Sequence, residues 1–156
     1  MPELLACQGC GALVPDEDGP IHDYMLSAPA CWRTYGELQA RFGAEGAGWR
    51  ARKLAADAYA VQHPGVPGPR SSQSVVVHLV ALCLVVERGQ TPEAAVAAMK
   101  ARFPWLDPPA DMGATTVVEV AAAPSLAAAV EGWARCAWSA WAHQHGYVHS
   151  LVSQAW

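Results

Sequence analysis

The segment Cys7-Gln8-Gly9-Cys10-Gly11 places two thiols three residues apart among glycines. That is the form of a zinc knuckle, in which a curled backbone brings both sulfurs to one ion. The same spacing serves thiol redox chemistry, but that role calls for a strand leading into a helix N-terminus. Here the pair leads into the turn-rich stretch Ala12 to Pro20, so zinc is preferred over redox. One such pair is half a tetrahedral site. His22 follows in Asp18-Gly-Pro-Ile-His22-Asp-Tyr24, and Cys31 in Ser27-Ala-Pro29-Ala-Cys31-Trp32. Ser27 or Ala28 can cap a helix with Pro29 in its first turn, which puts Cys31 where the helix dipole favours a thiolate. Cys7, Cys10, His22 and Cys31 are therefore expected to close around one Zn2+. The competing readings are a small core residue for Cys31 and a solvated loop residue for His22.

A second group of chemical residues follows. Asp57 shares a helical face with Leu54 and Val61, and a carboxylate facing a core needs a partner. His78, the one polar side chain in the middle of the apolar stretch Ser74 to Val86, needs a hydrogen-bond partner or a metal, and it is a candidate partner for Asp57. Tyr59 and His63 lie on a neighbouring stripe. His63, just before Pro64-Gly65, also suits the plainer task of bonding the last carbonyls of a helix. Asp57, Tyr59, His63 and His78 are expected to line a catalytic pocket in which the carboxylate orients an imidazole and a histidine acts as general base or second metal ligand.

These residues need a scaffold, and the composition supplies one. A chain of 156 residues, 53% hydrophobic and 15% charged, can bury a core as a single domain over 1–156, either as a monomer or in a small homo-oligomer. A net charge of −4 with no basic run argues against nucleic acid as a partner. The N-terminus has no signal-peptide pattern, and no uninterrupted apolar run approaches eighteen residues. The expectation is therefore a cytoplasmic protein with no membrane span. Five cysteines in a reducing compartment favour metal over disulfides.

The pattern predicts an all-α helical bundle around a buried central helix at about 73–88, although its valines leave a buried strand open. Ser71 or Ser72 would cap it. Helices at 29–42, 50–63, 92–102 and 126–145 pack round it, and residues 1–28 form a metal-binding loop segment on the bundle. Thr116 and Glu119 have capping-box spacing, which predicts a short helix over 117–122 rather than a strand. Trp105 is expected to plug the core. Trp133, Trp138 and Trp141 make a broad face that is either core or a surface for a flat ligand or partner. His145 and His149 have metal-chelating spacing, with surface histidines as the ordinary alternative, and His143 is read the same way.

Taken together, several motifs resemble those of a family of small bacterial proteins known as a domain of unknown function. They are Cys7-x-x-Cys10-Gly11, Asp18-Gly-Pro-x-His22-x-Tyr24-x-x-Ser27-x-Pro29-x-Cys31-Trp32-x-x-Tyr35-Gly36-Glu37, Asp57-x-Tyr59-Ala60-x-Gln62-His63-Pro64-Gly65, Gln73-Ser74-Val75-x-x-His78-Leu79 and Trp138-x-x-Trp141. The resemblance implies that Cys7, Cys10, His22, Cys31, Asp57, His63 and His78 occupy family motif positions, and it implies no activity. Arg52 stands where relatives resemble histidine, and Gln144-His145 where they resemble a His-His pair. Two functional classes follow from the residues. In the first, zinc is catalytic and keeps an open position beside the Asp57/His78 pocket. In the second, zinc is a structural staple in a non-enzymatic module that binds a small molecule or a protein. A thiol switch at Cys7 and Cys10 is the third.

Overall fold

A computed structural model describes residues 3–44, 48–91 and 102–155. The chain is a mostly helical single domain, with six α-helices among the described residues and a small N-terminal hairpin. The hairpin pairs β1 (Leu4–Ala6) with β2 (Leu13–Pro15), antiparallel, with Leu5 opposite Val14. The helices are α1 (Pro29–Ala44), α2 (Gly48–Gln62), α3 (Pro69–Leu82), α4 (Val117–Ala122), α5 (Leu126–Ala140) and α6 (His145–Ala155). The helix expected over 92–102 lies, but for its last residue, outside the described residues.

Helix α2 holds the bundle together, packing against α1, α3 and α5. Its sequence explains this position. Ala51, Ala55, Ala58 and Ala60 are buried and small, so they favour the helix and let neighbouring helices approach closely on several sides. Leu54, Tyr59 and Val61 of α2 meet Leu79 and Leu82 of α3, Trp133 of α5 and Trp141 just beyond its end in one core, all 0–1% exposed. Burial of each large apolar side chain contributes about 2 kcal/mol relative to exposure. The tryptophan face is thus core, and Trp138 is buried with it. Leu106 rather than Trp105 is the buried residue in the 104–109 turn, with Trp105 half-buried.

The central apolar helix starts earlier than its serines imply. Gly68 occupies the cap position with Pro69 just inside, so Ser71 and Ser72 lie within the first turn. Beyond Leu82 it continues as a π-helical turn, Cys83–Glu87, where the Arg88 amide donates to the Cys83 carbonyl at 3.3 Å. Pro69–Glu87 is long and apolar enough to cross a membrane by length and composition, and 61% of it is buried inside the fold, as befits a core helix. Short helix α4 carries the expected capping box: Thr116 Oγ1 accepts from the Val118 amide at 3.3 Å, and Glu119 accepts from the Thr116 amide at 3.1 Å. The long helix expected over 126–145 is instead three pieces. Trp141 leaves helical geometry at φ −92°, ψ 20°, a 3-10 turn covers Ala142–Gln144, and α6 follows.

Candidate metal centre

The hairpin builds the knuckle. Between its strands the Cys7 amide donates to the Ala12 carbonyl and the Gly11 amide to the Cys7 carbonyl, both at 2.8 Å, curling the loop so that Cys7 and Cys10 face the bundle. Gly9 sits at the closest approach. A Cβ there would stand 2.7 Å from the Leu26 carbonyl oxygen and closer still to Cδ2 of His63. Cys31 lies in the first turn of α1, and His63 directly follows the last residue of α2. Pro64 has no amide, so α2 must finish its carbonyls by other means. The His63 amide donates to Ala60 O at 3.1 Å, His63 Nδ1 bonds Tyr59 O at 2.7 Å, and Trp141 Nε1 donates to Val61 O at 3.0 Å. The turn that follows needs glycine, because Gly65 has φ +78° and a Cβ there would strike the Tyr24 carbonyl.

Four donor atoms converge from these elements. The Sγ atoms of Cys7, Cys10 and Cys31 and one ring nitrogen of His63 lie within 4.8 Å of one another, and all four residues are buried. Nε2 of His63 is 3.5 Å from both Cys7 Sγ and Cys31 Sγ, and Cys10 Sγ is 3.8 Å from Cys31 Sγ. A tetrahedron with Zn–S near 2.3 Å and Zn–N near 2.0–2.1 Å has S···S edges of about 3.8 Å and S···N edges of about 3.5–3.6 Å. These two S···N separations and this S···S separation are therefore already the edge lengths of a zinc site.

The surrounding bonds fix the protonation these donors need. A carbonyl oxygen only accepts, so the contact with Tyr59 O places the imidazole proton on Nδ1 and leaves the Nε2 lone pair facing the sulfurs. The Ala28 amide donates to Cys7 Sγ at 3.3 Å and the Tyr59 hydroxyl to Cys31 Sγ at 3.5 Å, both of which favour thiolates. Burial, together with the charge of Cys31, pushes the Tyr59 phenol far above its ordinary range and keeps it a donor. Hydrogen bonds from Cys10 and then Cys31 pull the Cys7 thiol far below the thiol range. Cys31 is pushed far above it by its bonds to Cys10 and Cys7. Cys10 gains from Cys31, but Cys7 and burial outweigh that and it is pushed up to about 12. Burial and mutual repulsion of three crowded sulfurs oppose three thiolates at once unless a cation lies among them.

His22 is not brought to this group. Its Nδ1 accepts from the Tyr24 amide at 3.2 Å, and its ring meets Tyr24 and Trp32 edge-on at 4.3 and 5.3 Å between centroids. His63 provides the fourth donor instead. The expected catalytic quartet divides accordingly. His63 and Tyr59, stacked at 3.9 Å, belong to the cysteine group, while Asp57 and His78 form a pair of their own. Asp57 is fully buried on α2, and its Oδ1 accepts from His78 Nδ1 at 2.7 Å and from the Lys53 ammonium. Its Oδ2 is buried with no hydrogen-bond partner, and the His78 side chain is 26% exposed. The 590 Å3 cavity beside the knuckle is lined by Gln8, Gly9, Leu26 and Pro108 to Met112 along with Cys7 and Cys10, and by none of the expected quartet. The cue to His63 was its place at a proline-terminated helix end: bonding a carbonyl through Nδ1 orients the ring and does not compete with ligation through Nε2.

Fold and site define a small helical protein whose N-terminal hairpin is tied to the bundle by a buried group of three cysteines and one histidine, consistent with a bound metal such as zinc. The chain belongs to a family of unknown function (DUF5946), whose model matches residues 5–142. That span takes in the knuckle, Cys31, the Asp57/His63 segment and His78. No curated protein and no solved structure matches it.

Proposed function

We propose that this is a zinc protein in which Cys7, Cys10, Cys31 and His63 hold one structural ion that fastens the hairpin and the start of α1 to the end of α2. One observation carries the reading: four buried donors converge within 4.8 Å of one another, three of their separations match tetrahedral zinc edges, and the histidine tautomer is already set for ligation. Four protein ligands leave no position for water, so the ion is a staple and supplies no Lewis-acid chemistry to a substrate. Metal analysis of protein purified without chelator should return about one zinc per chain. His63→Ala should lose the ion and His63→Cys should keep it. Full zinc in the alanine variant would place the metal elsewhere.

A second reading concerns chemistry rather than architecture, and the Asp57/His78 pair favours it. With its Nδ1 proton given to a buried carboxylate, His78 has a lone pair at Nε2 on a partly exposed side chain, the arrangement of a general base. Lys53 balances the Asp57 charge, so the imidazole need not be charged to hold the pair together. In this reading the catalytic base is His78, and its chemistry is independent of zinc. A reducing cytoplasm as the location, and a small molecule or protein as the partner in preference to nucleic acid, remain part of the proposal. They rest on unpaired cysteines and on the net charge of −4.

A further inference from the structure

The far end of the apolar helix carries a second set of mixed donors that shares no residue with the cysteine and histidine group. Cys83 opens the π turn, Glu87 closes it, and His149 of α6 stands over both. Their donor atoms lie within 4.8 Å of one another. Glu87 Oε2 is 3.8 Å from Cys83 Sγ and 2.7 Å from His149 Nε2. We propose that Cys83, Glu87 and His149 form a second, solvent-accessible site for a divalent transition-metal ion, with three protein donors and the remaining positions open to water.

Three features favour a site over a surface ion pair. A thiol, a carboxylate and an imidazole together suit zinc, cobalt or nickel, and are wrong for magnesium or calcium, which take oxygen donors. The carboxylate is oriented from behind: Trp138 Nε1 donates to Glu87 Oε1 at 3.0 Å, which leaves Oε2 for Cys83 and His149. Trp138 is itself held by the His145 ring, stacked on it at 3.7 Å, while His145 Nε2 bonds the Trp138 carbonyl at 2.8 Å. Lastly, the donors occupy the one π-helical turn among the described residues, a departure from α geometry that recurs at functional sites. The open positions separate this site from the closed one: Cys83 is buried, but the Glu87 and His149 side chains are 33% and 42% exposed.

Without an ion, His149 Nε2 donates its proton to the carboxylate, which only accepts. Binding moves that proton to Nδ1 of the same ring through solvent and releases the Cys83 proton to solvent, one net proton per ion. The His149–Glu87 contact must also open by about 0.7 Å to reach a tetrahedral N···O edge, a small movement for two partly exposed side chains.

The test is titration of cobalt(II) chloride, in thiol-free reducing buffer, into the full chain as purified. One further equivalent is expected, with a near-ultraviolet thiolate-to-cobalt band of single-thiolate intensity. It should be stripped by brief exposure to a chelator that leaves the buried ion in place. Cys83→Ser should remove the band, and Glu87→Gln and His149→Ala should each weaken binding at least tenfold. The two exposed substitutions keep the test valid if the buried serine variant fails to fold. No second equivalent, or a second equivalent untouched by Glu87→Gln and His149→Ala, would overturn the proposal.

Discussion

His63 performs two tasks with its two nitrogens, and neither is separable from the proline that follows it. Nδ1 serves a carbonyl that the end of α2 would otherwise leave exposed, and Nε2 faces the sulfurs. Its role was only half legible in the sequence: the carbonyl contact follows from Pro64, but ligation depends on a hairpin 56 residues away coming to meet it. His22 has the better spacing along the chain, and its ring is engaged by Tyr24 and Trp32 instead. The pairing of Asp57 with His78 was legible, because two polar groups on adjacent apolar helices have few other ways to avoid an unpaired burial. Asp57→Asn keeps the shape and removes the charge that Lys53 and His78 share. It should cost about 2 kcal/mol in chemical denaturation, a typical value for a charged hydrogen bond. His78→Gln should retain helical signal and stoichiometric zinc, since the bond His78 makes is to Asp57 and it is not among the four converging donors; zinc loss in that variant would mean that the two sites are coupled.

Among the elements, capped helices were the most legible and the three-residue strands the least. Thr116 and Glu119 announce α4 by chemistry that is local to four residues. Leu4–Ala6 and Leu13–Pro15 are too short to show an alternating pattern, and their register is set by the knuckle between them rather than by a hydrophobic face. The break between α5 and α6 was equally hidden. Gly146, the residue least suited to a helix in that stretch, lies inside α6, and the chain turns instead at Trp141, whose indole is drawn to Val61 O. Because the α4 cap is local, Thr116→Ala should cost about 1 kcal/mol, a melting-temperature loss of a few degrees for a domain of this size. Zinc content should not change. A much larger loss would mean that α4, which packs on α1, supports the metal group through Cys31.

At the scale of the molecule, the knuckle hairpin has little core of its own. Val14 is buried, but Leu4 and Leu13 are 61% and 63% exposed, so two three-residue strands are held to the bundle chiefly through Cys7 and Cys10. Chelation should therefore detach the hairpin before it unfolds the helices, which bury large side chains of their own, Leu79, Leu82, Trp133 and Trp141, where α2, α3 and α5 pack together. Acid should act in the same way. The ion requires thiolates and a neutral imidazole, so its stabilisation is present at neutral pH and is lost on acidification as protons compete for the donors. Amide exchange should show residues 4–15 losing protection on metal removal while α2 and α5 keep theirs; simultaneous loss everywhere would make the ion essential to the whole fold.

The central claim is a closed zinc site with three sulfur ligands and one nitrogen. X-ray absorption at the zinc edge of the protein as purified tests it most directly, because it counts ligands by type and distance. The expected first shell is three sulfurs at about 2.3 Å and one nitrogen at about 2.0–2.1 Å, with no water oxygen. A shell with fewer than three sulfurs, or one containing an oxygen from an open position, would contradict the account.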